Sequence, residues 1–166
     1  MAAIMLLYIQ LDDYLAQWFI HEQGGSVPVR LMRGSVESSI LEQFLQTPPA
    51  DYQPPMDDDS KLAIIIPHFK HKDPAFFHFL PEKAMDMLVG CIRNRFDIDM
   101  WTAVHKFQTL MGRKDQAIYA YMENHGIETT ETNWNAVAKR YQRKRDLYLS
   151  AQRMKKMRKN RTDFKR

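Results

Sequence analysis

The sequence has 166 residues, enough for one compact domain or two very small ones, and its 45% hydrophobic and 11% aromatic residues suffice to fill a core. Its only cysteine, Cys91, excludes an intrachain disulfide and therefore the class of small secreted scaffolds held together by disulfides. The net charge of +4 is unevenly distributed, because residues 1–111 contain 9 Lys/Arg against 14 Asp/Glu, whereas residues 112–166 contain 15 against 6. Such a one-ended basic excess is typical of chains that bind polyanions.

The chain shows neither a secretory signal nor a membrane span in its sequence. The residues before Asp12 include no Lys or Arg, whereas a secretory signal begins with a basic region. No apolar run approaches the roughly 20 residues that a membrane-spanning helix needs. We therefore expect a cytoplasmic protein that does not enter a membrane.

Three strands are predicted within residues 1–72. The apolar runs 4–11 and 62–66 are typical of buried strands. The alternating run 27–32 contains Pro28, which lacks a backbone donor and therefore favours an edge strand or the first position of a strand. The strands alternate with two helical patterns.

The two predicted helices of this part begin after preferred N-cap residues. Asp12 precedes the first, which ends before Gly24 and Gly25, and Ser35 precedes the second. Residues 47–60 hold half of the prolines and three consecutive aspartates, which predicts an exposed loop. Residues 1–72 are thus expected to form a small α/β unit.

The remaining residues, 73–166, follow a helical periodicity. A first helix is predicted after Pro81, a residue suited to the first helical turn. A second is expected to begin near Asp97 or Asp99, which we interpret as N-caps, and to end at Gly112.

Two further helices complete the prediction. The third covers 114–124 and ends at Gly126, which we expect to have a positive φ. The fourth is expected to be capped by Thr132 or Asn133 and to continue past Tyr148. The fold class is therefore α+β, and we expect one cooperative domain that ends in a long basic helix.

The fourth predicted helix has an apolar stripe beside a basic stripe at about 100° per residue. The first contains Trp134, Val137, Tyr141 and Tyr148, and the second Lys139, Arg140, Arg143 and Lys144. Like charges four residues apart destabilise a helix, so an anionic partner would relieve that repulsion. We expect Trp134 and Tyr141 to be buried and the basic stripe to be exposed and clear of acidic neighbours. The alternative is that Asp57–Asp59 or the acidic N-terminal half folds over the stripe.

Residues 153–166 are nearly all polar and strongly basic, as in a frayed helix end or a disordered arm. Either state can neutralise phosphates, and such contacts supply affinity without sequence specificity. Together with the helix, this tail defines the candidate nucleic-acid-binding residues, which are Lys139, Arg140, Arg143, Lys144, Arg145, Arg153, Lys155 and Lys156.

The stretch 114–148 consists of a predicted helix, a turn containing Gly126 and a basic helix, and in this layout it resembles helix-turn-helix modules. It is also similar to the basic helical ends of uncharacterised small proteins encoded on bacterial phage and conjugative elements. That resemblance implies a role on a mobile element. The connection after Gly126 is longer than the usual turn of such modules.

Catalytic and metal-binding motifs are not evident. The sequence has no phosphate-cradling glycine loop, nucleophile elbow or paired-cysteine motif, and Cys91 lies in an apolar stretch. His68, His71 and His78 lack the further ligands that a zinc site needs. We expect no enzyme activity, metal or cofactor.

These observations favour nonenzymatic binding of nucleic acid, DNA more than RNA, through the basic helix. The N-terminal unit would then mediate homo-oligomerisation or bind a protein partner. Two alternatives stay open at this point: a structural or protein-interaction adaptor whose basic helix docks on an acidic partner, and an enzyme with no recognisable motif.

Overall fold

The computed structural model of the chain describes residues 4–55 and 60–163, with the backbone alone for 111, 162 and 163. The elements follow the order β1 (Leu6–Ile9), α1 (Asp13–Glu22), β2 (Val29–Arg30), α2 (Val36–Phe44), β3 (Leu62–Ile65), α3 (Glu82–Met111), α4 (Lys114–Asn124) and α5 (Glu131–Asp163). The fold is α+β, with a small sheet near the N-terminus and a helical C-terminal part, which confirms the predicted fold class.

The three strands form one sheet with β3 in the centre. β1 pairs with β3 in the antiparallel direction, with Leu6 opposite Ile65, and β2 pairs with β3 in parallel, with Val29 opposite Ile64. Ile64 and Val29 are fully buried. All three strands are shorter than predicted, and the prediction of β2 as an edge strand is confirmed.

The predicted break near Asp97 and Asp99 is wrong, because α3 is one continuous helix of 30 residues. Its buried stripe continues across the supposed break through Phe96, Met100 and Val104, all with no exposed surface. Asp97 and Asp99 do not cap a helix here. Their carboxylates bond instead to side chains of other elements, so these two acidic residues connect elements within the fold.

A single hydrophobic cluster includes residues on both sides of position 72. Its members include Leu41 of α2, Phe96 of α3 and Tyr141 of α5. The rings of Tyr14 and Trp18, both on α1, meet the ring of Phe96 edge-on at centroid distances of 5.2 and 5.5 Å. The long helix α3 therefore joins the N-terminal unit to the helices that follow it.

One ion pair crosses this junction. Glu37 of α2 has a fully buried side chain, and its Oε1 accepts a hydrogen bond from Arg95 Nη1 of α3 at 2.5 Å. Arg95 also lies over the ring of Trp18, 5.8 Å from its centroid. A buried carboxylate needs such a partner, because an isolated charge in an apolar interior is very costly.

No helix among residues 4–55 and 60–163 has the length and apolar character to cross a membrane. Residues 47–55 and 60, the described part of the predicted proline-rich loop, form neither helix nor strand. The aspartates 57–59 lie outside the described residues.

Candidate nucleic-acid interface

The basic helix α5 starts earlier than predicted. Thr130 Oγ1 accepts a hydrogen bond from the backbone N–H of Asn133 at 3.2 Å, so Thr130 is the capping residue. The side chain of Asn133 is buried and donates from Nδ2 to Glu128 O at 3.0 Å and to Gln17 Oε1 at 3.3 Å. The prediction of Thr132 or Asn133 as the cap is therefore wrong. The side chain of Asn133 instead connects the start of α5 to α1.

The apolar stripe of α5 packs on α3 and α4. Val137 and Tyr141 have no exposed surface, which confirms the prediction for Tyr141. Trp134 is only partly buried, and its ring stacks on Tyr119 of α4 at 5.8 Å. Tyr148 is 40% exposed, yet its ring contacts Trp101 of α3 at 5.4 Å. The stripe therefore attaches α5 to the body up to about residue 148.

The basic stripe is not clear of acidic neighbours, so that prediction is wrong, and two of its four members form ion pairs. Arg140 donates two hydrogen bonds to Asp97 of α3, from Nε to Oδ1 at 2.7 Å and from Nη2 to Oδ2 at 3.0 Å. Lys144 Nζ lies 3.7 Å from Asp97 Oδ2. The hydrogen bonds from Arg140 to Asp97 raise the pKa of Arg140 above its ordinary value. Asp97 belongs to α3, and these two cations are paired within the fold.

Lys139 and Arg143, the other two members of the stripe, are exposed. Neither forms an ion pair with any residue in the described ranges 4–55 and 60–163. Both line a cleft of 520 Å³ between α5 and the start of α1, which also contains Asp12 and Asp13. Because Asp12 and Asp13 repel negative charge, they lower the affinity of this cleft for a phosphate. Lys139 and Arg143 are nevertheless the exposed cations of the stripe.

Arg145 is partly buried, whereas Lys139 and Arg143 are exposed. Burial raises the pKa of the Tyr141 phenol, and the positive charge of Arg145 partly offsets that effect.

Residues 149–161, which we call the distal segment, are all exposed and entirely helical. At 1.5 Å per residue the segment is about 20 Å long. It has six cationic residues and no acidic one: Arg153, Lys155, Lys156, Arg158, Lys159 and Arg161. The tail is therefore helical as far as Asp163, whereas residues 164–166, the end of the predicted arm, lie outside the described part.

The connection between α4 and α5 confirms one prediction. Gly126 has a φ of 67° and follows the C-cap residue His125, as expected for a helix end in the left-handed conformation. Residues 125–130 separate the helices, compared with the 3 to 4 residues usual in helix-turn-helix modules.

The first turn of α5 also differs from a recognition helix, which contacts bases through its N-terminal residues. Here that turn contains acidic Glu131 and the buried Asn133, and the first cation is Lys139. The helix-turn-helix likeness is therefore limited to the order of elements.

A second polar cluster, which the sequence prediction missed, surrounds Asp99. Its Oδ2 accepts hydrogen bonds from Tyr121 O–H at 2.8 Å and Trp18 Nε1–H at 3.3 Å, and it lies 3.3 Å from His125 Nε2. His125 Nδ1 is in turn 2.9 Å from the backbone oxygen of Tyr121. The cluster joins α1, α3 and the end of α4, and no spacing along the chain indicates it because its members come from three separate stretches of the sequence.

Among the described residues, no group of three or more His, Cys, Asp or Glu side chains is placed to hold a metal ion. His68 lies 3.9 Å from Asp73, and His78 Nδ1 lies 3.2 Å from the backbone oxygen of Pro74. Comparison with known proteins gives no match to a family model, to a curated protein or to a solved structure.

Proposed function

We propose that this chain is a nonenzymatic nucleic-acid-binding protein of the cytoplasm, which binds DNA in preference to RNA through α5. The observation that carries the proposal is the distal segment, in which six cations and no acidic residue lie on an exposed helix. Phosphate backbones are the commonest partner of such a surface. Each phosphate that the protein neutralises releases condensed counterions, and this release favours binding.

The residues proposed for contact differ from those of the sequence prediction. Arg140 and Lys144 are assigned to the pairing with Asp97. Arg145 is partly buried and is not assigned a phosphate contact. Lys139 and Arg143 remain as contacts near the body. In the distal segment, Arg153, Lys155 and Lys156 have no ion-pair partner within the described part of the chain.

The body of the protein would then serve to hold α5. Tyr141 and Val137 are fully buried against the other helices, and the ion pair of Arg140 with Asp97 fixes α5 on α3. Assembly or protein binding through the N-terminal unit, and a role on a mobile element, stay predictions.

The test is a fluorescence anisotropy titration of labelled duplex DNA with the full chain at two salt concentrations. Two double variants test the contacts: one replaces Lys139 and Arg143 with glutamine, and the other replaces Arg153 and Lys156 with glutamine. Each should weaken binding to all sequences. Each should also lower the salt slope by about one unit for each phosphate that the variant no longer neutralises. Replacing Lys70 and Lys83, which are exposed elsewhere, removes the same charge and should change little.

The competing hypothesis is a protein adaptor that docks its basic helix on an acidic partner. It expects no binding to duplex DNA, single strands or RNA even at low salt. That result would overturn the proposed function. Equal weakening by the Lys70 and Lys83 control would show that net charge, and not α5, governs binding, and would also contradict the proposal.

A further inference from the structure

The cations of the distal segment surround the helix. At about 100° per residue, the six basic residues are spread around the whole circumference, and no two neighbours around the axis are separated by more than about 80°. Lys155 and Lys159 lie on one side, and Arg153 and Arg161 lie on the opposite side. A partner that complements this segment therefore has to present negative charge on more than one side of the helix.

A flat anionic surface does not meet this requirement. A membrane surface or an acidic protein face would contact one side of the helix and leave the cations of the other side in solvent. Helices that lie on a membrane segregate a polar face from an apolar one. Here the exposed apolar residues Leu147, Met154 and Met157 share one side, but Arg158 and Arg161 interrupt that side. The segment therefore lacks the continuous apolar stripe that a membrane or a protein groove would bury.

The major groove of B-form DNA has phosphates along both walls, and it is about 12 Å wide, so it admits an α-helix. A helix with its side chains is about 10 to 12 Å in diameter. The major groove of A-form RNA is deep and narrow and does not admit one. Single strands are bound largely by stacking on aromatic side chains, and residues 149–161 include no aromatic residue.

We infer that the distal segment lies in the major groove of a B-form DNA duplex, with Lys155 and Lys159 facing the phosphates of one wall and Arg153 and Arg161 those of the other. This inference rests on the proposed function and specifies its ligand. Lys139 and Arg143 lie about 15 Å or more along the helix from the middle of the segment. They contact the DNA backbone at the place where α5 leaves the groove.

The experiment compares a labelled DNA duplex, an RNA duplex of matching sequence and a DNA single strand, each titrated with the full chain at equal ionic strength. DNA duplex should bind at least about tenfold more tightly than either alternative. Two double variants, Lys155→Gln with Lys159→Gln and Arg153→Gln with Arg161→Gln, should each weaken duplex binding to a similar extent and lower the salt slope by about two units. Glutamine preserves helix propensity, and circular dichroism verifies that both variants retain the helix.

A chemical footprint locates the groove. Dimethyl sulfate methylates guanine N7 in the major groove and adenine N3 in the minor groove, so the bound chain should protect guanine N7 and leave adenine N3 reactive. Protection of adenine N3 alone, equal affinity for the RNA duplex or the single strand, or sensitivity to only one of the two double variants would overturn the groove inference while nucleic-acid binding stands. Absence of binding to every nucleic acid would overturn both this inference and the proposed function.

Discussion

Arg140 of α5 holds Asp97 of α3 through two hydrogen bonds, from Nε to Oδ1 at 2.7 Å and from Nη2 to Oδ2 at 3.0 Å. The side chains are 24% and 12% exposed, so the pair is largely shielded from water. A bidentate pair of this kind is stronger and geometrically more specific than a single hydrogen bond. Arg140, a residue of the basic stripe, therefore stabilises the packing of α5 on α3.

Replacing Arg140 with alanine should lower the free energy of unfolding by about 2 kcal/mol, because it leaves the shielded Asp97 carboxylate with Lys144 alone at 3.7 Å. Arg143→Ala, a neighbouring exposed cation, should change it by less than about 0.5 kcal/mol. Urea unfolding followed by circular dichroism measures both. Equal effects of the two variants would show that the Arg140 pair does not stabilise the fold.

Gly126→Ala should destabilise the protein more than Gly112→Ala does. Both glycines have a positive φ, of 67° and 72°, so either alanine incurs about 1 kcal/mol of backbone strain. A Cβ at Gly126 would also lie 3.1 Å from Cδ2 of His21, whereas one at Gly112 meets open space. Thermal unfolding of the two variants isolates this contact, and equal midpoints would mean that the His21 ring moves aside.

Tyr121 should make stability decline in alkaline solution. Burial, and secondarily the hydrogen bond to Asp99, raise the pKa of its phenol well above the usual 10. A raised pKa in the folded state means that the contribution of Tyr121 is complete below pH 10, where the unfolded chain is also neutral. It is lost as the pH rises further, because only the unfolded chain releases the proton.

The variant Tyr121→Phe should therefore show a shallower loss of stability above about pH 10 than the parent chain. At neutral pH it should be less stable by about 1 kcal/mol, because it lacks the 2.8 Å hydrogen bond to Asp99. Tyr119→Phe, at an exposed position, is the control and should be nearly neutral. Urea unfolding at a series of pH values measures these differences, and parallel curves for Tyr121→Phe and the parent chain would contradict the expectation.

Cys91 should react slowly with alkylating reagents. Burial, aided by the negative charge of Glu37, raises the pKa of its thiol, and Arg95 opposes this less strongly. A raised pKa means a smaller thiolate fraction at pH 8, and the thiolate is the reactive form. Alkylation by iodoacetamide should be slower in the folded chain than in concentrated urea. Mass spectrometry follows the reaction, and equal rates in both solvents would show an accessible, ordinary thiol.

Local signals in the sequence predict most of the elements. Ser35 is a good example, since its Oγ accepts a hydrogen bond from the N–H of Ser38 at 3.1 Å, as its position before an apolar helical pattern indicates. Gly126 is another, because a helix end followed by polar residues needs a positive φ. The candidate interface is predictable in outline for the same reason, since runs of Lys and Arg are visible in one dimension.

Asp97 and Asp99 show where this reasoning stops. Both occur before apolar residues and therefore fit the pattern of an N-cap, but α3 continues through them. Their partners are far away along the chain, with Arg140 43 residues from Asp97 and Trp18 81 residues from Asp99. A capping pattern does not show that such a partner exists.

The strongly basic C-terminal helix and the small three-stranded unit before the helical part follow from the sequence alone, because charge content and hydrophobic periodicity are local properties. Which cations pair within the fold depends on the tertiary structure. Arg140 and Lys144 approach Asp97 because α5 packs on α3, whereas the residues of the distal segment are all exposed. Charge pairing depends on distances between helices, and those distances are set by the packing of Tyr141 and Val137 in the shared core.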